Sequence, residues 1–376
     1  MTKGSEMKVT FYNFPALHNK DFQTQILERY KELVENNAFI EGKYNQLFES
    51  EFAALQKSAH CLLLANGTDA IEIALQALGI KAGDHVGIAG ISFFATAEAV
   101  ITRGAIPVFI DVDPQTGLMC TQSLKRTVAA FDLKAIIPVH IYGQPAPIAE
   151  YEKICHPKDI AIIEDAAQAQ GGFYESGEPI GSSDNLCTFS FYPTKNLGAF
   201  GDAGAILTQD EVLAEDIVCI RNHGRSTNGF RLSGRNSRCD HLQAAVLHLK
   251  LANINKENQA RKEIEKKYIQ NLEGVPVVLP KKEFISLSSW HLFRIGLTNN
   301  EERTKLKDFL ATHEIGCSDQ YYNKALGEID PIEGYPGERE NAIKFAQTSL
   351  CLPMHAFLTD AEITFVTDKI KEFYKK

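Results

Sequence analysis

The sequence predicts an α/β protein in two parts: a three-layer α/β/α large domain on a mostly parallel sheet, and a smaller C-terminal α+β domain. Apolar strand-like runs alternate with amphipathic helical segments from about residue 60 to residue 210. This alternation is typical of a parallel sheet covered by helices on both faces. The pattern changes beyond residue 272, and 376 residues exceed what one compact core usually holds. We therefore predict a large domain over 1–255 and a small one over 256–376.

The individual elements follow from the same periodicities. Predicted strands of the large domain lie at 61–65, 85–89, 106–110, 135–140, 160–165, 186–192 and 204–208. Predicted helices between them include 68–78 and 94–104. One long helix over 240–272 is predicted to join the two domains. The small domain is predicted to contain strands at 275–280 and 290–298, helices at 301–314 and 360–374, and a Gly/Pro-punctuated surface loop at 323–340.

Composition restricts the class of partner. The formal net charge of −9 argues against nucleic acid or an anionic membrane surface as the main partner. No apolar run reaches the roughly 18 residues of a membrane span. The eight cysteines are scattered without a CxxC pair, and the first residues contain no apolar signal-peptide core. We therefore expect reduced thiols and a cytoplasmic location.

Lys195 follows a strand-like run and precedes a glycine-rich loop, in "TFSFYPTKNLGAFGDAGAI" (188–206). On its own this pattern favours a solvated turn lysine over a catalytic one. The glycine spacing is not GxGxxG and precedes a strand, so a dinucleotide site is not predicted. His241 and His248 lie seven residues apart on a predicted helix without a third ligand, so no metal site is predicted.

A lysine that forms a Schiff base must be fixed and partly dehydrated, because only its neutral amine attacks a carbonyl. If that carbonyl belongs to pyridoxal phosphate, the site also needs an acid, a phosphate cradle and a flat side chain over the ring. Asp165 ends a predicted strand, where open α/β sheets bind ligands, although it fits a helix cap equally well. Gly67 and Thr68 begin a helix, where amides bind anions; a plain N-cap is the alternative.

Two further candidates come from neighbouring segments. Phe93 or Phe94 could stack on a ring, although phenylalanines beside a strand end are usually core residues. In "TFSFYP" (188–193) polar and aromatic residues alternate. Since successive side chains of a strand point to opposite faces, Ser190 is expected to point toward the same pocket.

The combination of these segments resembles a known family. "NGTDAIEIAL", "FFATAEAV", "PVHIYGQPAPI", "IIEDAAQA", "FSFYPTKNLGAFGDAGAI", "RNHGR" and "GRNSRCDHLQAAVL" occur in the order and approximate spacing of the DegT/DnrJ/EryC1/StrS family. The resemblance runs from about residue 8 to the C-terminus, where "LPMH" also matches. It implies pyridoxal-phosphate (PLP) fold type I and aminotransferase activity on nucleotide-linked keto sugars.

The resemblance also implies a role for each matching residue. Lys195 binds the cofactor covalently and then moves the proton, and Asp165 pairs with the pyridine nitrogen. Gln168 lies near the ring hydroxyl, and Phe93 stacks on the ring. The implied phosphate ligands are Gly67, Thr68, Ser190 and, from the neighbouring subunit, Asn236. A ligand from the neighbouring subunit implies a homodimer with shared active sites.

The substrate prediction is coarser. The resemblance implies L-glutamate as amino donor and a nucleotide-linked keto sugar as acceptor, giving an amino sugar for a glycan or lipopolysaccharide. "GRNSRCDHLQAA" is more similar to members that aminate C3, but the loop "CSDQYYNK" (317–324) lacks the family's "HYP", so C4 stays an alternative. A dehydratase is disfavoured because those relatives replace the lysine by histidine. A non-catalytic regulator with the same fold is the remaining alternative.

Overall fold

The computed structural model describes residues 7–284, 286–319 and 323–375. Its centre is a seven-stranded sheet with the strand order β1-β7-β6-β5-β4-β2-β3. The strands are β1 (His60–Leu64), β2 (His85–Ala89), β3 (Ile106–Ile110), β4 (Leu133–Ile137), β5 (Ala161–Asp165), β6 (Leu186–Ser190) and β7 (Gly204–Thr208). Strand β7 lies between β1 and β6, antiparallel to both, and the pairs among β6, β5, β4, β2 and β3 are parallel. The predicted mostly parallel sheet is therefore confirmed.

Helices cover both faces of this sheet. The helices up to residue 221 are α1 (Phe14–Leu17), α2 (Lys20–Glu35), α3 (Lys43–Gln56), α4 (Gly67–Ala77), α5 (Phe94–Thr102), α6 (Thr121–Ala130), α7 (Ile148–Cys155) and α8 (Glu211–Arg221). Strand β1 shows how the faces divide: Leu62 and Leu64 pack with α4, α5 and α8, whereas Cys61 and Leu63 pack with α2 and α3. This alternation follows from the period of two along a strand.

The predicted long helix over 240–272 is wrong in one respect, because it is two helices. Helix α9 (His241–Leu251) and helix α10 (Ile254–Asn271) are separated at Asn253, whose φ of −106° and ψ of −6° depart from ideal helical values. The two helices bury their apolar sides in different places. Leu247 of α9 packs with α2 and α3, whereas Tyr268 of α10 packs with the C-terminal elements. A break allows each half to reach its own core.

The C-terminal part combines a two-stranded antiparallel sheet with helices. Its elements are β10 (Phe293–Gly296), α11 (Asn300–Thr312), α12 (Glu340–Thr348), β11 (Ser349–Leu352) and α13 (Asp360–Tyr374), preceded by a small hairpin of β8 (Arg225–Ser226) and β9 (Gly229–Phe230). The strand predicted at 275–280 is reduced to a single bridge between Val278 and Gly296. The domain boundary at 255 stays a prediction, because one apolar cluster joins Ile110 of the large sheet to Ile295 and Ile370.

The segment 323–340, predicted as a surface loop, instead packs on the molecule. Leu326 and Ile332 are fully buried against the face of α4 and α5. Gly337 pairs with Phe109 at the free edge of β3. The glycines and prolines that suggested a loop shape two 3₁₀ turns over 326–328 and 330–332, and residues 336–338 then bond to Phe109 and cover the edge strand.

Within the described ranges, no helix is both long enough and apolar enough to cross a membrane. All eight cysteines are free thiols, and six of them are buried. The same ranges contain no group of three His, Cys, Asp or Glu side chains arranged to hold a metal ion.

Candidate active site

The carboxyl ends of several strands border one cavity of about 480 Å³. Open α/β sheets bind ligands at this edge, and the volume is in the range of small-molecule sites. Seven of the eight residues predicted for the site line it: Gly67, Thr68, Phe93, Asp165, Gln168, Ser190 and Lys195. The loop that follows each strand therefore brings together side chains that lie far apart in the sequence.

The N-terminus of α4 forms one wall of the cavity. Asn66, and not Thr68, is the N-cap: its side-chain oxygen accepts a hydrogen bond from the Asp69 amide at 2.7 Å. Gly67 and Thr68 therefore lie in the first turn, whose amides have no partner within the helix and carry the positive end of its dipole. A Cβ on Gly67 would lie 2.7 Å from the Ser190 Cβ, so only glycine lets the backbone approach Ser190 this closely.

Asp165 ends β5 and is buried, with 5% of its surface exposed. Its Oδ1 accepts a hydrogen bond from the Ala167 amide at 3.1 Å, and its Oδ2 accepts one from the Thr96 hydroxyl at 2.9 Å. Burial raises the pKa of the carboxyl, and these two bonds and the charge of Lys195 oppose that rise. The helix-cap alternative does not hold, because turns and not a helix follow Asp165.

Lys195 is partly buried in the bend after β6. Burial lowers the pKa of its ammonium group to about 8, and the nearby Asp165 carboxylate opposes this shift. The Lys195 amide donates to Tyr192 O at 2.8 Å, and the next side chain, Asn196, donates to Ser289 O at 2.8 Å. The lysine therefore sits on a backbone that is fixed on both sides, with an amine that is easier to deprotonate than an exposed one.

The two remaining residues predicted to contact the ring differ in exposure: Phe93 is exposed and Gln168 is buried. Phe93 precedes α5 and is 64% exposed toward the cavity it lines. Gln168 is buried, and its Oε1 accepts a hydrogen bond from the Tyr142 amide at 2.6 Å. This bond orients the side-chain amide of Gln168, so that Nε2 points away from the Tyr142 amide. A donor at that end suits an acceptor such as a ring oxygen.

Asn236 does not line the cavity of its own chain. It is exposed, its backbone forms a bridge with Asn222, and its side-chain oxygen accepts hydrogen bonds from Arg238 at 3.1 and 3.2 Å. Its predicted role, binding of the cofactor phosphate in the neighbouring subunit, stays a prediction. Part of the 317–324 loop, residues 320–322, lies outside the described residues.

Sequence reasoning missed other residues at the cavity. Ser92, Thr96, Tyr192 and Asp202 all line it. Thr96 could have been noticed, because it follows Phe93 by three residues at the start of a helix and so shares its face. Nothing in the sequence alone places it beside Asp165, which lies 69 positions away.

A lysine of lowered pKa, a buried carboxylate and a helix N-terminus around one cavity of a mostly parallel sheet define the class of PLP-dependent enzymes of fold type I. A family model described as the DegT/DnrJ/EryC1/StrS aminotransferase family matches residues 20–371. The chain belongs to this family and is a PLP-dependent aminotransferase.

Known relatives match over most of the chain. A "pleiotropic regulatory protein" of Geobacillus stearothermophilus is 35% identical over 95% of this chain and 96% of its own length. The dTDP-3-amino-3,4,6-trideoxy-alpha-D-glucose transaminase of Streptomyces venezuelae is 32% identical, over 92% and 90%. The 3-oxo-glucose-6-phosphate:glutamate aminotransferase of Bacillus subtilis is 30% identical, over 86% and 73%.

A solved structure supports the fold independently. The crystal structure of S. venezuelae DesV in complex with a ketimine intermediate superimposes with a TM-score of 0.92 at 30% identity, covering 98% of this chain and 99% of that one. The predicted fold class and cofactor are therefore confirmed. The cavity fits PLP, because it is lined by Lys195 and Asp165 and, at the N-terminus of α4, by Gly67 and Thr68 beside Ser190, where an anion is favoured.

Proposed function

We propose that this enzyme transfers the amino group of L-glutamate to a keto group, with a preference for C3, of a nucleotide-linked sugar. The observation that carries the proposal is that Lys195 and Asp165 line one cavity together with the N-terminus of α4. This arrangement provides the amine, the acid and the anion site that transamination on PLP requires.

Two relatives support the finer features. The Streptomyces enzyme is named for a dTDP-linked 3-amino sugar, which favours a nucleotide-linked acceptor aminated at C3. The Bacillus enzyme is named for a 3-oxo sugar phosphate and for glutamate, which favours the same position and the same donor. Amination at C4 is the alternative that the family resemblance leaves open.

The family resemblance and the grouping of seven predicted residues around one cavity support the following roles. PLP, when bound, supplies an electron sink for the carbanion of the substrate. Lys195 Nζ takes the proton from Cα of the amino donor, and Asp165 holds a proton at the ring nitrogen. Phe93 covers one face of the ring, and Gln168 donates to the ring oxygen. Gly67, Thr68 and Ser190 orient the phosphate. Proton transfer by one positioned amine contributes roughly 10²–10⁴-fold to the rate.

The proposal extends to assembly and location. The enzyme acts as a homodimer in which Asn236 reaches the phosphate of the neighbouring subunit. It works in the cytoplasm and supplies an amino sugar to glycan or lipopolysaccharide synthesis. The exposed position of Asn236, outside its own cavity, supports the shared site.

The regulatory name of the Geobacillus relative bears on the alternative of a non-catalytic regulator. A regulator has no need for an amine whose pKa is lowered to about 8 beside a buried carboxylate. Perturbed groups of this kind cluster at catalytic sites. The catalytic function is therefore the better supported.

Two measurements test the proposal. The purified protein with PLP should show the visible absorption band of lysine-bound cofactor, and glutamate should remove it, whereas Lys195→Ala should show no such band. A wild-type protein that stays colourless with added PLP would refute the proposal. A panel of 3-keto and 4-keto nucleotide sugars and 3-keto sugar phosphates, with glutamate and product analysis by mass spectrometry and NMR, identifies the acceptor.

A further inference from the structure

A chain of hydroxyl groups ends on the carboxylate of Asp165. Thr96 Oγ1 lies 2.9 Å from Asp165 Oδ2, and Ser92 Oγ lies 2.6 Å from Thr96 Oγ1. All three side chains are buried, with exposed fractions of 5% or less. All three also line the cavity of the active site. None of the roles assigned above involves Ser92 or Thr96.

Counting hydrogens shows which hydroxyl group donates in each of these hydrogen bonds. A hydroxyl has one hydrogen, and an ionised carboxylate only accepts. Thr96 therefore donates its hydrogen to Asp165, and Ser92 has to donate its own hydrogen to Thr96. Hydrogen bonds in such a series polarise and strengthen one another in a buried environment.

The hydroxyl chain comes from the element that also carries Phe93. Thr96 lies in the first turn of α5, and its amide donates to Phe93 O at 3.1 Å. Residues three apart lie on the same face of a helix. The N-cap and first turn of α5 therefore carry both the aromatic side chain proposed to cover the ring and a hydrogen-bond donor for the acid.

The two oxygens of Asp165 are held from different sides. Oδ1 accepts from the Ala167 amide in the turn after β5, and Oδ2 accepts from Thr96 on α5. A buried carboxylate that lacks donors takes up a proton instead of staying charged. A neutral carboxyl group cannot stabilise a protonated ring nitrogen by charge.

We propose that Thr96, oriented by Ser92, is a positioning residue that keeps Asp165 ionised and aimed at the ring nitrogen of the cofactor. This inference rests on the role proposed above for Asp165. It extends the machinery of the site to two side chains that act through Asp165.

The test uses the half-reaction with glutamate, which needs no sugar acceptor. Thr96→Val keeps the shape of the side chain and removes its hydroxyl, and Thr96→Ser keeps the hydroxyl. With PLP, Thr96→Val should slow single-turnover conversion by about 10- to 100-fold, the range for a lost hydrogen bond to a charged group. Thr96→Ser should retain a rate near that of the wild type.

A cofactor analogue separates this role from a purely structural one. In 1-deaza-PLP a carbon replaces the ring nitrogen, so Asp165 has no charge to stabilise. The wild type and Thr96→Val, both reconstituted with this analogue, should then react at the same rate. If Thr96→Val slows the reaction equally with both cofactors, or with neither, the inference is wrong.

A second readout and a second variant complete the design. The PLP dissociation constant, followed by quenching of the single tryptophan Trp290, should rise in Thr96→Val and not in Thr96→Ser. Ser92→Ala should change rate and affinity in the same direction by a smaller factor, and it replaces Thr96→Val should that variant not fold. An unchanged Ser92→Ala would contradict the orienting role of Ser92.

Asp165→Asn distinguishes failure of this inference from failure of the proposed function. If Asp165→Asn loses activity with PLP while Thr96→Val does not, only the role of Thr96 is wrong. If Asp165→Asn reacts as fast as the wild type, the role proposed for Asp165 is wrong, and the inference falls with it.

Discussion

At the scale of single residues, the lowered pKa of Lys195 has a direct chemical consequence. Only a neutral amine attacks the aldehyde of PLP, and burial brings the pKa of this amine to about 8. The nearby Asp165 carboxylate opposes the shift. At pH 8 about half of Lys195 is neutral, against less than one hundredth of an exposed lysine.

The predicted outcome is a pH profile. The rate at which apoenzyme binds PLP covalently should rise with pH and reach half its maximum near pH 8, as measured by the visible band in stopped-flow mixing. Lys195→Arg should form no band at any pH, because a guanidinium stays protonated. A midpoint near 10.5 would show that Lys195 is not dehydrated in solution.

A second prediction concerns the buried carboxyl of Glu265 on α10, whose oxygens have no hydrogen-bond partner in the part of the chain that the structure describes. Burial raises its pKa from 4.5 to about 7. The folded state therefore binds more protons than the unfolded state between these values, and stability is lost as the pH rises from about 4.5 to above 7. Glu265→Gln should stabilise the protein at pH 8 by about 1–3 kcal/mol.

Urea unfolding at pH 5 and pH 8 measures this effect. The gain from Glu265→Gln should be small at pH 5, where much of the wild-type carboxyl is already protonated, and larger at pH 8. Glu273→Gln, at an exposed position near the end of the same helix, is the matched control and should change little at either pH. An equal gain at both pH values would contradict the assignment.

The sequence predicted the residues whose chemistry is distinctive and missed those that act through a neighbour. Lys195 and Asp165 follow strand-like runs, and their type and position suffice to single them out. Thr96 and Ser92 are common residue types whose importance depends on a contact between α5 and β5. Only the fold brings that contact about.

At the scale of elements, the loop after Lys195 is held by residues from α9. Lys250 is buried, and its Nζ donates to Gly198 O at 2.7 Å. Gln243 Oε1 accepts from the Phe200 amide at 2.9 Å. A Cβ on Gly198 would lie 2.5 Å from Pro193 O, so the loop is tight as well as fixed.

Lys250→Met keeps most of the buried volume but removes the donor to Gly198 O. We expect the free energy of unfolding to fall by about 1–3 kcal/mol, because a buried carbonyl loses its partner. We also expect a higher PLP dissociation constant, since the loop that carries Lys195 is less restrained. Thermal unfolding of apoenzyme and titration with PLP measure the two effects. Lys256→Met, at an exposed position, should change neither.

The break between α9 and α10 shows what periodicity cannot reveal. The helical pattern runs from 240 to 272 and becomes highly charged toward its end, and a single helix was predicted. Asparagine favours local hydrogen bonds over a helix interior, but one Asn253 does not by itself predict a break. The decisive cause is that the two halves pack against different parts of the chain.

At the scale of the whole molecule, the sheet was predictable because parallel strands are continuous apolar runs. The order of the strands could not be predicted, because it depends on how the helical connections between strands pack. Several strand orders are compatible with the same sequence pattern. The packing of residues 323–340 against the edge of β3 could not be predicted from the sequence either. Leu326 and Ile332 are isolated apolar residues in a segment whose glycines and prolines indicate a loop.

The last prediction concerns assembly. Asn236 lies outside the cavity of its own chain, and Phe230 in the nearby hairpin is 78% exposed. Phe200, next to the loop that carries Lys195, is 42% exposed. We predict a two-fold dimer in which each Asn236 reaches its partner's site and these exposed side chains lie near the interface. Each active site would then combine Lys195 of one subunit with Asn236 of the other.

Mixed dimers test this arrangement. We expect Lys195→Ala and Asn236→Asp each to be severely impaired as homodimers. A dimer with one subunit of each kind contains one complete site, because the Asn236→Asp subunit supplies Lys195 and the Lys195→Ala subunit supplies Asn236. Random mixing makes half of the dimers mixed, so about one quarter of the wild-type rate should return. Mixing Lys195→Ala with Asp165→Asn should restore nothing, because both residues belong to the same subunit's site. If the first pair also restores nothing, although mixed dimers form, Asn236 does not act across the interface.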